Sequence, residues 1–79
     1  MEKYIVSLNI GLEGPDYNAY HILNQDGDVV AIVRTNNNKM LELEMVNNNN
    51  DKEALIGAIK DRFPSIDIND YKFIPAKQI

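Results

Sequence analysis

Residues 40–46 read MLELEMV, and from Leu41 to Met45 apolar and acidic side chains alternate strictly. Only a strand separates such neighbours cleanly, because its successive side chains point to opposite faces of the sheet. The pattern predicts Leu41, Leu43 and Met45 facing a core, with Glu42 and Glu44 in water. A slip of one residue would bury both carboxylates, so the register is strongly specified. Asparagine tracts bracket this stretch at residues 36–38 and 47–50. Asparagine tolerates left-handed backbone and bonds its own backbone two residues on. The first tract therefore reads as a tight reversal, and the second as the exit from a strand into a helix.

The flanking segments supply the remaining elements. In KYIVSLNIG, Tyr4, Val6, Leu8 and Ile10 alternate with Ile5, Ser7 and Asn9, which predicts a first strand. DVVAIVRT is a nearly unbroken apolar run rich in valine and isoleucine, hence another strand. DKEALIGAIKDRF carries Leu55, Ile56, Ile59 and Phe63 at helical spacing, with Asn50 or Asp51 as the cap, Glu53 in the first turn and Pro64 as the stop. Gly57 inside this helix reads as a point of close approach to the sheet. A final strand is expected around residues 71–74, ended by Pro75.

Residues 15–25 allow two readings. As a helix, Pro15 sits in the first turn, Gly27 follows the end, and Ala19, Ile22 and Leu23 form an inward stripe. As a strand, the segment joins DVVAIV through a hairpin turn at Asp26 and Gly27. The helix is preferred because a second helix would help cover one sheet face. The expected fold is a single α+β domain over residues 1–79, ferredoxin-like βαββαβ, with an antiparallel four-stranded sheet and two helices on one face. The alternative is a five-stranded meander with one helix.

The stretch KYIVSLNIGLEGPDYNAYHIL resembles the start of small ferredoxin-like proteins of the CRISPR-associated integration-subunit and toxin-endoribonuclease group. There a first strand ending in aspartate leads through a loop into a helix. The resemblance spans residues 3–23 and implies the ferredoxin-like topology. The residue after VSL is Asn9, not aspartate, so the metal-binding or basic carboxylate of that group is missing and its activity is not implied.

Twelve acids against eight bases give a net charge of -4. Nucleic-acid binders use clustered lysine and arginine to displace counterions from phosphates, and here the bases are scattered, so direct nucleic-acid contact is not expected. The chain has no cysteine and no apolar run of about 20 residues, which predicts no membrane span and a cytoplasmic setting.

The search for chemistry returns little. His21 is the single histidine and lies among apolar neighbours. NQDGDVV fails the calcium-loop template, because Val29 and Thr35 fall where glycine and glutamate are needed. Glu42 and Glu44 share a strand face about 7 Å apart, as on any solvated face. In the expected topology the open sheet face is negative and free of stacking rings, which opposes RNA binding there. No catalytic residue, cofactor or metal is expected.

The preferred reading is a small acidic non-enzymatic protein-interaction module. One form of it is a phage- or mobile-element-encoded inhibitor that occupies a basic, nucleic-acid-binding surface of a target protein. Self-association as a homodimer is also expected, because DVVAIV would lie at a sheet edge. Glu42, Glu44, Val30 and Ile32 are the candidate interaction residues. The alternative is a metal-dependent nuclease-like enzyme of the ferredoxin-like class, using Glu42 or Glu44 with Asp16 or Asp70.

Overall fold

The computed structural model describes residues 4–8, 14, 16–47 and 51–77. Its elements are β1 (Ile5–Leu8), β2 (Asn18–Leu23), β3 (Val29–Asn36), β4 (Lys39–Met45), α1 (Lys52–Arg62) and β5 (Lys72–Ile74). They form an α+β fold with one helix and a five-stranded mixed sheet in the order β1-β2-β3-β4-β5. The first four strands are an antiparallel meander, and β5 runs parallel to β4 after the crossover through α1. This corrects the ferredoxin-like expectation and matches the five-stranded, one-helix alternative. No helix among the described residues is long and apolar enough to cross a membrane.

The decisive difference is residues 18–23, which form β2 and not a helix. Asn24 directs the chain into the next strand. Its side-chain Oδ1 accepts from the backbone N–H of Asp26 at 2.9 Å and of Asp28 at 3.0 Å. Its carbonyl accepts from Gly27 N–H at 3.1 Å. Gly27 has φ 83°, the left-handed position that closes a three-residue hairpin loop. Asp26 and Asp28 are therefore turn residues.

The first asparagine tract is a tight reversal. Asn36 pairs with Lys39, and the two residues between them, Asn37 and Asn38, have φ 51° and 63°. Two consecutive positive φ values are the signature of the mirror-image turn whose twist suits a hairpin. A regular two-residue hairpin would then set Arg34 opposite Leu41 and Val33 opposite Glu42. That phase would place both glutamates on the core face. A bulge removes the conflict: Thr35 pairs with Met40, Arg34 with Glu42 and Val33 with Leu43, leaving Leu41 as the extra residue. Met40, Leu43 and Met45 are buried, whereas Leu41 is only half-buried, contrary to the expectation that it faces the core.

Asp51 caps the helix, its side chain accepting from Glu53 N–H at 3.1 Å. Asn50, the other expected cap, lies outside the described residues, as do Asn9, Ile10, Pro15 and Asn48. Phe63 ends the helix by donating its N–H to Ile59 at 2.8 Å, just before Pro64. Leu55 and Ile59 are fully buried and join Ile22, Val30, Ala31, Val33, Met40, Leu43 and Met45 in one core on the helix side. The Phe63 ring meets Tyr20 edge-on, with centroids 5.0 Å apart. A Cβ at Gly57 would meet nothing within 4 Å, so close approach does not require this glycine.

The return to β5 is pinned to the asparagine turn. Asp67 N–H donates to Asn38, Met40 N–H donates to Asp67, and Asn38 Nδ2 donates to Ser65, at 2.8, 2.8 and 2.7 Å. The left-handed backbone at Asn38 thus serves a second purpose, aiming its groups at the segment after the helix.

Candidate functional site

Register places the sheet's side chains in rows. Residues directly across a pair of strands point to the same face. Two rows lie on the face away from the helix. Ser7, His21, Ile32, Glu44 and Ile74 cross all five strands, and Ala19, Arg34, Glu42 and Lys72 form the neighbouring row. No described helix covers these side chains. Ile5 opposite Leu23, at the end of the sheet where β1 begins, belongs to the same face.

Arg34 organises the polar half. Its guanidinium Nη1 donates to Glu44 at 2.9 Å and to Glu42 at 3.3 Å. The guanidinium carbon lies 6.0 Å from the centroid of the Tyr17 ring. Ala19, directly across from Arg34, is fully buried although it is outside the helix-side core. Tyr17 is fixed in turn by a short reversal, its backbone bridged to Gly14. A Cβ on Gly14 would fall inside the Tyr17 ring.

The hydrogen bond to Glu44 raises the Arg34 pKa most. Burial lowers it, and the charges of Glu44 and Glu42 and a hydrogen bond accepted by Tyr17 raise it further. A cation with a raised pKa stabilises the fold below its unfolded pKa and ceases to do so only as pH rises through the folded one. Both values lie above the neutral range, so Arg34 stays charged there. The side chains of Arg34, Glu42 and Glu44 are 21%, 35% and 38% exposed, so each pair is worth no more than about 1 kcal/mol.

This corrects the expected face in two ways. It is not uniformly negative, because Arg34 bridges the glutamates and Lys72 lies across from Glu42. It is not ring-free, because Tyr17 sits against Arg34. The same guanidinium fills the position between Glu42 and Glu44 that the enzymatic alternative needs for a cation. Among the described residues, no three His, Asp or Glu side chains are grouped to hold a metal, so Asp16 and Asp70 do not complete such a set.

The expected interaction residues divide. Glu42, Glu44 and Ile32 share the open face, but Val30 is 1% exposed and belongs to the core. The run that contains Val30 and Ile32 is the central strand β3, paired on both sides, so the edge-strand argument for DVVAIV fails. Sequence reasoning missed Arg34, Tyr17 and Leu23, and it set Ile5 on the open face without counting it among the interaction residues. Arg34 was readable in phase with Ile32, two residues on along one strand.

At the end of the sheet where β1 and β3 begin and β2 and β4 finish, the character changes to aliphatic. Ile5 is 60% exposed there, and Val46, just past β4, is 50% exposed. Leu23, Val29 and Ile32 are half-buried beside them. Acidic side chains stand at this same end. Asp26 and Asp28 are exposed in the loop between Leu23 and Val29, and Asp51 and Glu53 are exposed where the helix begins. The opposite end is mixed, with Lys39, Lys60 and Arg62 beside Asp61, Asp67 and Asp70.

These features define an α+β sheet protein with one helix layer and one sheet face that no described helix covers. Compared with known proteins, the chain matches no family model, no curated protein and no solved structure.

Proposed function

We propose that this chain is a small acidic protein-interaction module. It docks the aliphatic corner of its open sheet face on a partner protein whose apolar patch is rimmed by lysine and arginine. The carrying observation is the coincidence, at one end of the sheet, of exposed Ile5 and Val46 with the exposed carboxylates of Asp26 and Asp28. Apolar contact excludes water, and the charged rim selects the partner and speeds encounter. The net charge of -4 favours approach to a basic surface. An inhibitor that occupies a nucleic-acid-binding surface is one protein that fits this description.

The test is affinity capture from the native host on three immobilised baits: the wild-type chain, Val46→Ser, and Asp26→Lys combined with Asp28→Lys. Circular dichroism checks that the baits fold alike. A basic protein retained by the wild type, lost by both variants and released by added salt is the expected result. Recovery of the same proteins on all three baits contradicts the proposal.

A further inference from the structure

Apart from its open face, the sheet ends in two edges, and among the described residues only one of them carries protecting features. We propose that β1 is the docking strand for a second copy of this chain, paired antiparallel about a two-fold axis at Val6. Among the described residues β1 pairs only with β2, so its outer backbone groups have no strand beside them. A row of unpaired N–H and C=O groups is a template for another strand. Proteins normally block it with a charge, a proline, a bulge or a covering element. None of these occurs within Ile5–Leu8. Ile5 is 60% and Leu8 52% exposed, on opposite faces of the strand.

Geometry selects the occupant. A two-fold axis perpendicular to the sheet keeps each face on its own side, so only residues of like parity can stand opposite one another. With the axis at Val6, Tyr4 lies across from Leu8 of the second copy, Val6 from Val6, and Ile5 from Ser7. Tyr4 and Val6 already pack against the core on the helix side. The pairing therefore extends that core across the seam and covers Leu8. On the other face it brings Ile5 against Ser7. No charge lies in the strand, so the seam opposes no like charges even though each copy carries -4 overall. A foreign basic segment would find no carboxylate on these four residues, which favours the second copy over it.

The proposal shares Ile5 with the aliphatic corner, but Leu8, which its main variant alters, lies on the opposite face, and Val46 and the two aspartates lie outside the seam, so the two tests fail separately. Together they would give a ten-stranded sheet presenting two corners on one side.

Sedimentation equilibrium of the full chain is the test, with Leu8→Lys and Phe73→Lys variants alongside, the second altering the other edge. A wild-type dimer at micromolar concentration is expected. Leu8→Lys should dissociate about 100-fold more readily, and Phe73→Lys should not change the equilibrium. The dimer should tighten with added salt, as repulsion between the two copies is screened. A second measurement uses the absence of native cysteine. An oxidised mixture of Ile5→Cys and Ser7→Cys chains should form the mixed disulfide in preference to either homodimer, because directly opposed strand residues fall within disulfide reach. A wild-type monomer at high micromolar concentration, a dimer indifferent to Leu8→Lys, or a dimer broken by Phe73→Lys overturns the proposal.

Discussion

β5 reaches its edge of the sheet through a helix and a parallel alignment, whereas β1 reaches the other edge as the outermost strand of a meander. The difference extends to their protection. β5 has three residues, begins with Lys72 and is followed by Pro75. Lys52 extends from the first turn of the helix over its ring, 4.6 Å from the Phe73 centroid and 5.6 Å from that of Tyr71. β1 has four uncharged residues with apolar side chains exposed on both faces. The helix packs against the face of β1 as well, so the difference lies in the strands themselves: β5 is short and flanked by a lysine and a proline, and β1 carries neither within Ile5–Leu8.

The largest expected effect comes from breaking the protected side. Ile59→Ala removes a fully buried helix contact and should destabilise the fold by about 3 kcal/mol in urea unfolding. Amides of β5 should exchange faster than those of β2 and β3, because the helix that returns the chain to β5 is weakened. On the other side, Gly14→Ala drives a methyl group into the Tyr17 ring and should cost roughly 1–2 kcal/mol by the same assay. The ring should also leave Arg34, visible as a shift in its aromatic resonances.

Gly57→Ala has the opposite sign. Space around that position is open, so the gain in helix propensity should stabilise the protein by about 1 kcal/mol. It should strengthen the helix without disturbing its packing, because nothing stands within 4 Å of the added methyl. The smallest effect is Lys52→Ala, which removes the cation from the half-buried Tyr71 ring and the exposed Phe73 ring and should lower stability by about 0.5 kcal/mol. Thermal unfolding resolves both changes.

Legibility in the sequence followed the range of the forces involved. The asparagine reversal, a helix cap at Asn50 or Asp51 and the stop before Pro64 are settled by neighbours in the chain, and each was readable. NAYHIL was not, because its apolar residues fit both a helical stripe and a hairpin arm. Pairing with β1 and β3 decided it, and that pairing is remote in sequence. The bulge at Leu41 is similar. The glutamates had to face away from the core, but where the chain would absorb the extra residue depended on the turn, the strand and the partner together. Of the open face, Glu42 and Glu44 were visible from alternation, whereas Ile32 was named on an edge-strand argument that the register overturns. Their link to Arg34 emerged only once the register was fixed.

Hydrogen exchange at two protein concentrations tests the asymmetry of the edges most directly. The amides of Ile5–Leu8 should gain protection as concentration rises, while those of Lys72–Ile74 should exchange at the same rate in both samples. Protection of β1 that does not change with concentration, or a gain confined to β5, would contradict the account.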